Sequence, residues 1–148
     1  MKVRDIMTSA ATCCSPHTPL SEVAALMVQH DCGEIPVCDE ARKPLGVVTD
    51  RDIVCRVVAK GTNPVGITAA DCMSEPVVTT TADMDVEECA RLMEQYQVRR
   101  LPVVDERGAC CGMIAQADLA TKAPHDIAAE VVEKVSEPSA SASGLSAS

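Results

Sequence analysis

The chain contains the same passage twice. Residues 5–53 lie over residues 71–119 at a constant offset of 66, with no gap. Identical pairs are Asp5/Asp71, Met7/Met73, Glu22/Glu88, Ala24/Ala90, Leu26/Leu92, Met27/Met93, Gln29/Gln95, Pro36/Pro102, Val37/Val103, Asp39/Asp105, Glu40/Glu106, Gly46/Gly112 and Asp52/Asp118. Ordinary residue usage would give roughly three or four over such a span. A unit of about 60 residues buries too little surface to stand comfortably alone, so two copies are expected to share their burial.

Both copies have one grammar. A short apolar strand is expected at Ala11-Thr12-Cys13-Cys14 and at Val77-Val78-Thr79-Thr80. A helix follows, with Leu20, Val23, Ala24 and Met27, or Val86, Cys89, Ala90 and Met93, at the i, i+3, i+4, i+7 spacing of one buried face. Thr18-Pro19 reads as a polar cap with proline in the first turn, and Asp83 as the second cap. Two short strands come next, Ile35-Pro36-Val37-Cys38 with Leu45-Gly46-Val47-Val48, and Leu101-Pro102-Val103-Val104 with Cys111-Gly112-Met113-Ile114. The proline in each first strand implies an edge or a missing ladder bond. A second helix closes each copy, with Ile53, Val54, Val57 and Val58 as its apolar stripe in copy one. The fold class is therefore α+β, two β-α-β-β-α repeats packed about a pseudo-two-fold axis, with a ligand cleft between them. The boundaries expected are 1–62 and 63–123 for the repeats, 124–135 for an amphipathic helix carrying Ile127, Val131 and Val135, and 136–148 for a disordered Ser/Ala-rich tail.

Composition removes several function classes. The formal net charge is −9, which repels a phosphate backbone, and aromatic content is 1%, which removes base-stacking platforms. Nucleic acid and membrane are not expected partners, since no apolar run approaches 18 residues and no signal segment opens the chain. Nine cysteines include no Cys-x-x-Cys pair; they read as small core hydrophobes of a reducing cytoplasm, with a thiol or disulfide sensor as the second reading and a structural metal site as the last. His17, His30 and His125 have no metal-binding spacing, so no metal ligand is assigned. No nucleophile elbow or glycine-rich phosphate loop supports an enzyme, and no catalytic residue is assigned.

Val3-Arg4-Asp5-Ile6-Met7, Ile35-Pro36-Val37-Cys38-Asp39 and Gly46-Val47-Val48-Thr49-Asp50-Arg51-Asp52-Ile53 resemble a cystathionine-β-synthase (CBS) domain. Copy two resembles it through Cys72-Met73, Arg99-Arg100-Leu101-Pro102-Val103-Val104-Asp105 and Gly112 to Leu119. The resemblance spans about residues 3–122, and the build is similar to small stand-alone bacterial CBS-pair proteins, tandem pairs being called Bateman modules. It implies a non-catalytic regulatory module taking an adenosine nucleotide (AMP, ADP or ATP, with S-adenosylmethionine as a variant) and requiring no cofactor. In copy one the implied contacts are Thr12, Cys13, Ile35, Pro36, Thr49, Asp50, Arg51 and Asp52. In copy two they are Val78, Arg99, Arg100, Leu101, Pro102 and Asp118.

Thr49-x-x-Asp52 has two readings. It is a capping box, and it is also a helix N-terminus suited to phosphate, with an acid one turn in for a ribose diol. Copy two keeps Asp118 but has Ala115 and Gln116, so its cap and its phosphate contact should both be lost and its cleft should be the poorer one. Arg99 and Arg100 are either a solvated pair or a phosphate clamp. Ile35 and Leu101, with Thr12 and Val78, are either an adenine slot or plain core. A ligand-independent interaction or stress-response scaffold is the alternative function. Under either, a homodimer is expected from surplus apolar surface at Leu26, Leu92 and residues 127–135, together with a regulated protein that the sequence does not identify.

Overall fold

A computed structural model describes residues 1–9, 11–75 and 77–136, apart from the side chains of 128, 130–132, 135 and 136. The proposed tail beyond 136 lies outside the described residues. In order, the elements are a 3-10 turn Val3–Asp5, β1 (Thr8–Ser9), α1 (Leu20–His30), β2 (Glu34–Cys38), β3 (Pro44–Thr49) and α2 (Asp50–Ile53), which runs into a π-helical stretch Val54–Val58. After these come α3 (Ala69–Cys72), β4 (Thr80–Thr81), α4 (Val86–Tyr96), β5 (Arg100–Val104), β6 (Cys110–Ala115), α5 (Gln116–Lys122) and α6 (His125–Ser136).

The chain condenses into two units, and they are not the two copies as written in sequence. One unit holds Met1–Ala10, Val78–Asp105 and the chain from Cys111 on; the other holds Ala11–Val77 and Glu106–Cys110. Each copy has surrendered its leading segment to the other. In the first unit β1 pairs antiparallel with β6, Thr8 opposite Met113, and completes a sheet of order β1-β6-β5-β4. In the second, Ser74 takes the corresponding place opposite Val47, exchanging N–H to O bonds of 3.1 and 2.8 Å.

The exchange is built into both cores. Val3 and Ile6, 0% and 4% exposed, pack with Val86, Cys89, Ala90, Met93, Leu101, Val103, Ile114 and Leu119. Ala69 and Cys72, 0% and 1% exposed, stand at the corresponding positions of the other core, with Leu20, Val23, Met27, Ile35, Val37 and Val48. The leading segments are also pinned from below: Val86 N–H donates to Met1 O, and Leu20 N–H to Ile67 O.

The expected helical faces are present. Val86, Cys89, Ala90 and Met93 are all buried, as are Leu20, Val23 and Met27, while Ala24 is half-buried. Several expectations need correction. Thr18 does not cap α1, because its hydroxyl is turned back to accept the Ser15 N–H at 3.0 Å and Pro19 holds the cap position. Asp83 does not cap α4: it pairs with Arg4, and Asp85 stands at the cap position, ion-paired with Lys2. Val54 and Val58 are exposed where the helix widens into the π form, leaving Val57 as the buried residue of that turn. Leu26 and Leu92 are not surplus surface; both pack against the core of their own unit, as does Ile127. Val131 and Val135 have side chains outside the described set.

The first strands are shorter than expected. In copy one the strand shrinks to a single bridge, Cys14 N–H donating to Pro36 O and Cys38 N–H to Cys14 O. The next bond of that parallel ladder would need an N–H on Pro36, which proline lacks. Pro102 truncates the second copy likewise, leaving Thr80 and Thr81 paired with Val103 and Val104.

Gly46 and Gly112 mark where the exchanged segments dock. A Cβ on Gly46 would sit 2.8 Å from Ser74 O, and one on Gly112 2.8 Å from Thr8 O. Backbone at that distance must move, so Gly112→Ala should destabilise the protein by about 1–3 kcal/mol in urea unfolding. A change below about 0.5 kcal/mol would show that the docking is looser than this.

Candidate functional site

Copy one keeps its cap complete. Thr49 Oγ1 accepts the Asp52 N–H at 3.0 Å, and Asp52 Oδ2 accepts the Thr49 N–H at 2.9 Å. The other amides of this first turn are also taken: Asp50 N–H donates to Gly33 O at 2.9 Å and Arg51 N–H to Asp50 Oδ1 at 2.8 Å. A phosphate arriving here would exchange bonds rather than find vacant donors. The proton of the Thr49 hydroxyl is not used by the cap, so Thr49 can still donate.

The other oxygen of Asp52 is engaged too. Ser74, on the segment that crosses from copy two, donates its hydroxyl to Asp52 Oδ1 at 3.0 Å, and Arg56 Nε stands 3.7 Å from the same atom. Arg56 also donates to Met73 O at 3.0 Å. The Asp52 side chain is 13% exposed. A ribose diol would therefore bind a carboxylate already aimed and partly occupied by Ser74.

Copy two retains half of the box. Asp118 Oδ2 accepts the Ala115 N–H at 2.8 Å, but Ala115 has no oxygen to return the bond. The expectation that its cap is wholly lost is corrected to this extent. Asp118 also meets Lys122 Nζ at 3.5 Å. Arg99 is exposed and accepts the Gln116 N–H on its carbonyl at 2.7 Å; Arg100 is half-buried at the start of β5.

The remaining residues divide between the two units. Thr12 and Cys13 are half-buried, and Ile35 and Pro36 are buried in the strand beside them. Val78 is half-buried, with Leu101 and Pro102 buried. Ile35 and Leu101, each 1% exposed, are core members of their own units. Thr49, Asp50, Arg51 and Asp52 share one helix start, and Asp118 occupies its counterpart.

Sequence reasoning missed one feature. Cys13, Cys38 and Cys110, remote from one another in the chain, have all three Sγ atoms within 4.8 Å of one another. Hydrogen bonds from the Cys110 and Cys38 thiols, against the opposing effect of burial and with help from the Arg42 guanidinium, lower Cys13 from an ordinary 9.0 to about 3. The same bonds raise Cys38. Burial, with the charge of Cys13 behind it, raises Cys14 to about 11. No spacing rule could find this cluster, because the segment before α1, the end of β2 and the start of β6 meet only in the folded chain.

The profile of the CBS domain family matches residues 3–59 and 69–125. Hypoxic response protein 1 of Mycobacterium tuberculosis is 34% identical over 140 residues, covering 95% of this chain and 97% of that one. Its crystal structure, described with two coordinated zinc ions, has a TM-score of 0.76 at 35% identity and covers 84% of this chain and 100% of that one. The CBS pair of protein MJ0100, in complex with 5′-methylthioadenosine and S-adenosyl-L-methionine, has a TM-score of 0.73 at 25% identity, covering 81% and 97%. CBSX2 of Arabidopsis thaliana in complex with AMP has a TM-score of 0.68 at 26% identity, covering 80% and 92%. The chain spans 61% of the length of protein MK0525 of Methanopyrus kandleri, to which it is 37% identical over 125 residues.

The two caps make a reciprocal prediction. Thr49→Ala should cost about 1 kcal/mol, and Ala115→Thr, which supplies the missing acceptor, should gain a similar amount. Both are read from chemical denaturation midpoints. Equal and negligible effects would mean that these boxes do not hold the helix starts.

Proposed function

Because the chain belongs to the CBS domain family, as a tandem pair covering most of its length, we propose that it is a non-catalytic regulatory module that binds an adenosine nucleotide. Thr49 and Asp52 are the principal contacts, with Asp50 and Arg51 on the same turn and Thr12, Cys13, Ile35 and Pro36 on the same copy. Val78, Arg99, Arg100, Leu101, Pro102 and Asp118 are the contacts of the second copy. AMP, ADP, ATP and S-adenosylmethionine are the ligands to compare, and the ligand acts by shifting the population of packing states that a partner protein reads.

The observation that carries this reading is the Thr49/Asp52 helix start. Asp52 is held in place by its own cap, by Ser74 and by Arg56, and Thr49 keeps a hydroxyl proton to donate. Ala115 offers no such group, so copy one binds more tightly than copy two. Relatives crystallised with AMP, and with S-adenosyl-L-methionine and 5′-methylthioadenosine, support the ligand class. Five of the nine cysteines are buried as small core residues, which supports a reducing cytoplasmic setting. The exposed Val54 and Val58, 55% and 63% accessible, support self-association into a homodimer better than the half-buried Leu26 and Leu92 do.

Isothermal calorimetry of the reduced protein tests the reading. One adenosine ligand should bind at a single dominant site. Asp52→Ala should weaken it by about tenfold to a hundredfold, the loss of a hydrogen bond to a charged group, and Asp118→Ala by less. Flat traces for all four ligands would transfer the function to a ligand-independent scaffold. Equal affinities at two sites would refute the inequality of the copies.

A further inference from the structure

We propose that Cys13, Cys38 and Cys110, with Arg42 beside them, form a thiolate site for one thiophilic divalent cation of the zinc class. The site shares Cys13 with the proposed nucleotide contacts and otherwise uses residues other than those of the Thr49/Asp52 helix start. Its three Sγ atoms lie within 4.8 Å of one another. Metal–sulfur bonds of about 2.3 Å in tetrahedral geometry place sulfurs about 3.8 Å apart, so small side-chain rotations close the cluster on an ion.

The repeat shows that the fold does not ask for cysteine here. At the offset of 66, Thr79 stands in the place of Cys13, Val104 in the place of Cys38 and Pro44 in the place of Cys110. The same framework is thus built once without any of the three thiols. The cluster is an addition to one unit.

Arg42 carries the second, independent observation. Its φ is 63°, in the left-handed region, and its counterpart at the same turn is Gly108, with φ 81°. A non-glycine residue pays roughly 1–2 kcal/mol for that conformation. In this position the Arg42 guanidinium reaches Cys13 Sγ at 3.6 Å and Cys110 O at 3.4 Å, and Arg42 O accepts the Cys110 N–H at 2.8 Å. The turn that would ordinarily carry glycine carries a cation that faces the thiols.

Charge selects the class of ion. Three thiolates bring three negative charges; a divalent cation and Arg42 together cancel them, whereas a univalent ion would leave one uncompensated in a half-buried site. Each ligating thiol that is still protonated gives its proton to solvent as its metal–sulfur bond forms, and no electrons are transferred. The cluster borders a groove of about 360 Å³ that Ser15, Thr18, Glu22 and Asp39 help to line. Water from this groove would complete a fourth position.

The test uses the reduced full-length protein, stripped with chelator, titrated with Co2+ and then with Zn2+. The expected result is a sulfur-to-cobalt charge-transfer band that saturates at one equivalent and is abolished by Zn2+. Cys13→Thr and Cys38→Val, which install the residues of the second copy, should keep the native circular dichroism and lose the band; Cys110→Ser is the third arm if either fails to fold. Arg42→Gly should keep the band and weaken binding about tenfold, while Cys55→Ser should change nothing. Absence of the band in the reduced protein, or its survival in the folded cysteine variants, would overturn the site. So would loss of two thiols to a Cys13–Cys38 disulfide on air exposure in a protein whose reduced form takes up no metal.

Discussion

Each unit of this protein is finished by a segment that precedes the other copy in sequence. Val3, Ile6 and Thr8 complete the core and sheet around Leu101 and Ile114. Ala69, Cys72 and Ser74 do the same around Ile35 and Val48. A single copy taken alone would lack an edge strand and a lid over its core, so neither copy is a complete folding unit. Gly46 and Gly112 are the contact points that make the exchange sterically possible, because the incoming carbonyl oxygen lies only 2.8 Å from where a Cβ would be. The exchange also reaches the proposed site. Ser74, which arrives from copy two, helps the cap and Arg56 to hold Asp52 of copy one, so the proposed ribose contact depends in part on the crossing.

Apart from Asp52, which Asp118 matches, the groups proposed to carry chemistry fall mainly where the two copies stop matching. Matching positions such as Met27/Met93 and Val37/Val103 are buried and build the framework. Departures fall on groups with chemistry: Thr49 against Ala115, Arg42 against Gly108, and the three cysteines against Thr79, Val104 and Pro44. Duplication supplies an internal control, since it shows what the fold requires at each place and what has been added. By that measure copy one holds the proposed stronger nucleotide contacts, and the thiol cluster lies in the unit built on Ala11–Val77, to which copy two contributes Cys110.

Much of this was legible in the sequence, because it depends on local spacing. The helical stripes, the truncation of a ladder at Pro36 and the capping box at Thr49 each follow from residues within one turn or one strand of one another. The cap of α1 was misread because Thr18 has a nearer partner in Ser15, a competition that composition does not reveal. The exchange of leading segments was not legible. Both segments carry the same Asp-x-Met pattern, at Asp5 and Asp71, so pairing with either copy satisfies the same apolar positions. The thiol cluster was invisible for another reason: its members lie on three segments that meet only through tertiary packing.

The exchanged architecture can be read directly by hydrogen exchange with mass spectrometry on Val3→Asp, which puts an unpaired charge into a position that is 0% exposed. The account predicts faster exchange in residues 86–104 and 111–119, with 20–38 protected as in the parent protein. Faster exchange confined to residues 20–49, with 86–119 unchanged, would mean that the leading segment belongs to its own copy and would contradict the account.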